Sequence, residues 1–136
     1  MNIEENKALV RHAFELMNRK ELDTFFQLLD TGYVAHYAIG DFSLEQAKQF
    51  ETMYFAAFPD AIATIEDILA EGDKVAIRVT WRGTHKGEFM GIVPTGKKIN
   101  ITNTAILRIA YSKLTEIWAT ADTLRFMQQL GTIPSQ

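Results

Sequence analysis

The sequence predicts a single α+β domain over residues 1–136, with helices first and a mostly antiparallel, curved sheet after them. Two observations predict this. Apolar residues recur at helical spacing from Leu9 to Ala57, and from Lys74 onward they alternate at every second position. A third concerns size: the 136 residues are 47% apolar, enough to bury roughly 65–70% of the unfolded surface and still leave room for one cavity.

The elements follow in order. Leu9, Val10, Ala13, Phe14 and Met17 form one stripe of a helix running from Ile3 to Met17, and Asn18-Arg19-Lys20 breaks it. A short helix carrying Leu22, Phe25, Phe26, Leu28 and Leu29 is expected to stop at Thr31-Gly32. Tyr33 to Tyr37 is a strand. Asp41-Phe42-Ser43 opens a third helix, with Ser43 and Gln46 spaced as a capping box, and Pro59 stops it. Leu44, Ala47, Phe50, Tyr54 and Ala57 line its apolar face. Ala61–Ala70 and Lys74–Thr84 form a hairpin about Glu71-Gly72-Asp73, and a glycine-rich loop spans Gly87 to Gly96. Lys98–Ile109 and Leu114–Asp122 form a second hairpin about Tyr111-Ser112, and a helix from Leu124 to Leu130 closes the chain at Gly131.

Composition removes several classes of function. The net charge of −3 is spread over both signs with no basic block, which excludes a phosphate-backbone partner such as a nucleic acid. The lack of cysteine excludes disulfides and thiolate chemistry and fits the cytoplasm. The polar, acidic start is unlike a signal peptide, and no apolar run approaches the about 20 residues of a membrane span.

Polar residues with inward parity mark the candidate site. His85 continues the alternation of Val75, Ile77, Val79 and Trp81, and Asn103 lies between Ile101 and Ala105. A two-residue turn at Tyr111-Ser112 sets Trp118 opposite Ala105, Thr120 opposite Asn103 and Asp122 opposite Ile101, all inward. It also carries Glu116 inward, opposite Leu107, and leaves Ile117, Ala119 and Ala121 outside; a one-residue slip reverses every one of these. A carboxyl beside Trp118 and Ile101 is poorly solvated, which favours its neutral form and suits proton transfer near neutral pH. The alternative for Asp122 is a structural cap on the final helix. The alternative for His85 is a hinge that hydrogen-bonds the glycine loop. His36, Trp81, Trp118, Phe14, Tyr54 and Phe58 complete the expected pocket for a small hydrophobic molecule. The three histidines lack the local spacing of a metal site, so no metal is expected.

The segments Gly72-Asp73-Lys74-Val75-Ala76, Trp81 to Gly91, Pro94-Thr95-Gly96-Lys97, Leu114 to Trp118, Asp122 and Gln128 to Gly131 resemble SnoaL-like polyketide cyclases of the NTF2-like superfamily. The resemblance covers nearly the whole chain and is most specific from Gly72 to Gly131. It implies an NTF2-like, cone-shaped α+β barrel enclosing a pocket, and a homodimer. It also implies cofactor-free, aldol-type ring closure with Asp122 as acid/base; His85 or Asn103, placed inward by parity, would orient the oxygen. The chain departs from the family pattern in carrying Tyr111-Ser112 where an Asp-Gly turn is usual. It also carries Asn103 and Ala105 where some members place a histidine or glutamine against the substrate. An outer sheet face bearing Ile106, Ala119 and Ala121 suits a second copy. Other uses of the same fold stay open: a non-catalytic ligand-binding or dimerisation module, an isomerase, or an epoxide hydrolase. The last needs an Asp–Arg–Asp arrangement, and Arg78 and Arg82 have outward parity.

Overall fold

A computed structural model describes residues 2–134. Helix α1 (Ile3–Asn18) begins at Asn2, whose side chain accepts a hydrogen bond from the Glu5 amide, and α2 (Leu22–Phe26) follows after a tight corner. Strand β1 (Leu29–Tyr37) starts earlier than the sequence pattern suggests: Thr31-Gly32 lies within it and stops no helix. Burial of Leu29, Tyr33 and Ala35 against the core explains why Leu29 leaves the helical run. Asp41-Phe42-Ser43 belongs to a short strand, β2 (Gly40–Ser43), that pairs back on β1. Ser43 then caps α3 (Leu44–Ala57) in a complete capping box with Gln46.

The remaining strands are β3 (Ile62–Glu71), β4 (Lys74–Thr84), β5 (Lys98–Ala110) and β6 (Lys113–Thr120), and α4 (Thr123–Leu130) ends at Gly131 in the left-handed region. They form one six-stranded sheet in the order β2-β1-β6-β5-β4-β3. The β1–β6 pair is parallel and the others are antiparallel, so the sheet is mixed and stays open at β2 and β3. Val75, Ile77 and Val79 of β4 and Ile99, Ile101, Ala105, Leu107 and Ile109 of β5 are buried on its inner face. All of these but Ile101 share one core with Val10, Ala13, Phe14 and Met17 of α1 and Ala47, Phe55 and Ala57 of α3. Among the described residues, no helix is long and apolar enough to cross a membrane.

The β5–β6 hairpin corrects the expected register. Tyr111 and Ser112 both have positive φ (51° and 62°), as a two-residue turn of this kind requires, and Ile109 pairs with Leu114. A bulge then intervenes, and Arg108 pairs with Glu116, Ile106 with Trp118 and Ala105 with Ala119. The extra residue flips everything beyond it. Trp118 and Glu116 therefore face outward with Ile106 and Arg108, whereas Ile117 and Ala119 face inward. The physical reason is Glu116: opposite Leu107 its carboxylate would be buried without a partner, a costly arrangement. Outside, it meets Arg108 and His36.

The glycine loop is fastened to the end of α3. The Lys86 and Gly87 amides both donate to the Ala57 carbonyl, and a Cβ built on Gly87 would lie 2.9 Å from the Ala56 carbonyl oxygen. Gly87→Ala is therefore expected to lower unfolding stability in urea by about 1–3 kcal/mol through overpacking.

Candidate active site

The structure gathers part of the expected site and disperses the rest. Phe14 packs on Trp81 (ring centroids 6.2 Å apart), Trp81 on Tyr54 (5.4 Å), Tyr54 on Phe58 (5.1 Å) and Phe58 on His85 (5.2 Å, stacked). These five residues form one continuous wall between the helices and the inner face of the sheet. Phe14, Phe58 and His85 are buried, and Tyr54 and Trp81 keep partial exposure. His85 hydrogen-bonds the glycine loop: its Nδ1 accepts from the Thr95 amide at 3.2 Å and lies 3.0 Å from Thr95 Oγ1.

His36 and Trp118 are not on that wall. The bulge in β6 puts Trp118 on the outer face, and β1 pairs His36 beside it there. The two rings stack at 5.5 Å, and the Arg108 guanidinium covers Trp118 at 5.2 Å. His36 Nε2 lies 2.6 Å from Glu116 Oε2 and its Nδ1 2.9 Å from Asp41 Oδ1. Hydrogen bonding to Glu116, then to Asp41, holds the His36 pKa above its ordinary value. Of the residues expected on the outer face, Ile106 is there and exposed, and Ala119 turns inward. A shallow cavity of about 430 Å³ beside Leu69, Ile106 and Trp118 opens on this outer side. Arg78 is also outside, bonded to Asp67 at 2.7 Å.

Asp122 does not sit opposite Ile101, because β6 ends at Thr120. Its side chain caps α4, accepting from the Arg125 amide at 3.2 Å, and lies 3.4 Å from Arg125 Nε with 42% exposure. Asn103 does point inward, yet its Oδ1 receives the Asp122 amide at 2.9 Å and so anchors the start of α4.

A different carboxyl group occupies the interior. Glu51 of α3 accepts a hydrogen bond from the Tyr37 hydroxyl of β1 at 3.1 Å, and the Tyr37 hydroxyl also interacts with that of Tyr33. Burial raises the Glu51 pKa to about 7, against the opposing pull of the Tyr37 hydrogen bond. Burial first, and the nearby Glu51 charge second, push the phenols of Tyr33, Tyr37 and Tyr54 upward, so all three stay protonated through neutral pH. Such a set couples a carboxyl that exchanges its proton near neutrality to hydroxyl donors that can meet developing negative charge. Tyr37 also packs on Phe42 and Phe50, at 5.3 Å each, and Phe89 joins Phe50 (6.1 Å) to Tyr54 (5.9 Å) and Phe58 (5.7 Å). Glu51, Tyr37, Tyr54, Trp81, Asn103, Ile117 and Ala119 are all only partly buried, although each belongs to the inner layer.

Glu51 escaped the reading of the sequence. Its signal was available: it stands four residues after Ala47 and three before Tyr54, on the apolar stripe of α3, where a carboxylate is out of place.

The model of the family described as SnoaL-like polyketide cyclase matches residues 7–130. The chain belongs to that family. Among solved structures, this SnoaL-like chain is similar to AclR from Streptomyces galilaeus, described as a candidate hydroxylase. The two share 29% identity over 99% of this chain and 86% of that one, with a TM-score of 0.92. It is likewise similar to IdmH from Streptomyces antibioticus, described as a candidate polyketide cyclase, at 30% identity over 93% and 98% of the two chains and a TM-score of 0.80. A SnoaL-like protein from Jannaschia shares the fold at 21% identity, covering 97% of this chain and 95% of that one, with a TM-score of 0.87. No curated protein matches the chain.

The Glu51 environment has a consequence for stability. Its folded pKa of about 7 lies above the ordinary carboxylic value of 4.5, so the folded state holds the proton more tightly. Stability is then fullest below pH 4.5 and falls as pH rises toward 7, by about 3 kcal/mol for this group. His36 acts in the same direction but above its ordinary value of 6.5. Urea unfolding of wild type and Glu51→Gln across pH 4–8 separates the two. The Glu51→Gln profile is expected to be flat between pH 4.5 and 6.5, where the wild-type profile slopes downward.

Proposed function

We propose that this SnoaL-like domain carries out cofactor-free acid/base chemistry of the aldol type on a small hydrophobic carbonyl compound. The substrate would lie on the inner face between α3 and the sheet, with Glu51 moving the proton. The observation that carries the reading is the enclosed Glu51 carboxyl, with a pKa near 7, held by Tyr37 beside a wall of aromatic rings. The family match and the cyclase description of IdmH support the reaction class. The partial exposure of Trp81, Tyr54, Ile117 and Ala119 supports a ligand surface in the inner layer.

In the proposed step the Glu51 carboxylate removes a proton from the carbon next to a carbonyl. The C–H electron pair becomes the enolate double bond, and the carbonyl oxygen takes the charge near the phenol hydroxyls. The enolate carbon then attacks a second carbonyl of the same molecule, forming the C–C bond, and the resulting alkoxide recovers the proton from Glu51. No redox partner is required.

Asp122 is the competing carboxylate, marked by the family resemblance. Deuterium exchange of 2-tetralone in D2O, followed by proton NMR, compares the two. Wild type is expected to accelerate exchange at the methylene between ring and ketone, with a rate that rises with pH through about 7. Glu51→Gln is expected to reduce that acceleration at least about 100-fold, and Asp122→Asn, which keeps a capping side chain, to leave it within about twofold. The opposite pattern transfers the role to Asp122. No acceleration by wild type favours a binding module over an enzyme.

A further inference from the structure

His85 is fully buried, and its Nε2 is an orphan: among the described residues it has no hydrogen-bond partner. The other nitrogen decides what that atom is. Nδ1 faces the Thr95 amide, which can only donate. Thr95 Oγ1 accepts from the Lys97 amide, leaving its own proton free to point at Nδ1 as well. Nδ1 is therefore the acceptor nitrogen, and the neutral ring carries its proton on Nε2. A buried N–H donor without an acceptor is destabilising, and such groups are rare enough to require an explanation.

The surroundings supply one. His85 stacks on Phe58, which packs on Tyr54, and Phe89 and Phe50 join Tyr54 to Tyr37, so a chain of ring contacts runs from the orphan donor to the Glu51–Tyr37 pair. Phe89 and Phe126 pack against Phe58, so the ring on which His85 stacks belongs to a larger aromatic cluster. We propose that His85 Nε2–H is the recognition donor for an oxygen of the ligand. The ligand class is then a flat, hydrophobic compound with a carbonyl or enolate oxygen that reaches His85. This rests on the proposed use of the same wall for a carbonyl substrate.

The test uses the full chain labelled with nitrogen-15 and two probes of the same bicyclic shape, 2-tetralone and tetralin, which differ in the ketone oxygen. Long-range proton–nitrogen spectra of wild type are expected to show the Nε2–H tautomer of His85. 2-Tetralone is expected to bind about tenfold more tightly than tetralin and to move the His85 Nε2 and its proton, whereas tetralin leaves them in place. His85→Phe, which keeps a ring against Phe58, is expected to bind both probes alike. The Nδ1–H tautomer, equal affinity of the two probes for wild type, or a ketone preference that survives in His85→Phe overturns the inference. So does a ketone-independent water signal on Nε2 that 2-tetralone does not displace. Glu51→Gln separates this result from the proposed reaction. If it keeps the ketone preference but exchanges deuterium like wild type, the reaction assignment fails and the His85 role stands. If it loses exchange while the His85 signal never responds to ketone, the reverse holds.

Discussion

The hydrogen bond from Tyr37 to Glu51 ties α3 to β1, the strand that pairs in parallel with β6. Much of the local arrangement follows from it. Glu51 can be enclosed only because a neutral phenol meets it, and the enclosure in turn keeps the neighbouring phenols protonated. The aromatic wall around the pair raises the cost of ionising the carboxyl and offers a flat apolar surface at the same place. Burial, proton affinity and ligand shape are thus set by one group of side chains.

The bulge in β6 divides the sheet between two kinds of work. On the outer side it gathers Glu116, Arg108, His36 and Asp41 about the Trp118 ring, so that charges bridge four neighbouring strands where water can reach them. On the inner side it leaves Ile117 and Ala119, both apolar, facing the helices. Without the extra residue, Glu116 and Trp118 would fill the layer that Glu51 and the tyrosines now occupy. The edge of the inner face is closed differently: Asn103 holds the Asp122 amide, Asp122 caps α4, and Phe126 of α4 packs on Phe58 and Phe89.

Helices α1, α3 and α4, the capping box at Ser43, the strand spans of β3 to β5 and the stop at Gly131 were legible because each depends on local periodicity or backbone chemistry. The family was legible from the segments between Gly72 and Lys97 and between Leu114 and Gly131. What was not legible depends on pairing between distant segments. The parallel β1–β6 contact has no local signature, and a bulge leaves no mark on alternation until a partner strand is supplied. That single residue sent Trp118 outward, with His36 paired beside it, and β6 stopped short of Asp122. Glu51 was visible in principle as a carboxylate on an apolar stripe, but its meaning depended on Tyr37, which comes from another element.

The account stands on the protonation of one carboxyl group. A carbon-13 NMR titration of the Glu51 side-chain carboxyl in the free wild-type protein measures it directly. The account predicts a midpoint near 7, and loss of the Tyr37 hydroxyl in Tyr37→Phe should move it higher, since that hydrogen bond favours the charged form. A midpoint at the ordinary value of 4.5, unmoved by Tyr37→Phe, would show the carboxyl open to water and would contradict the account.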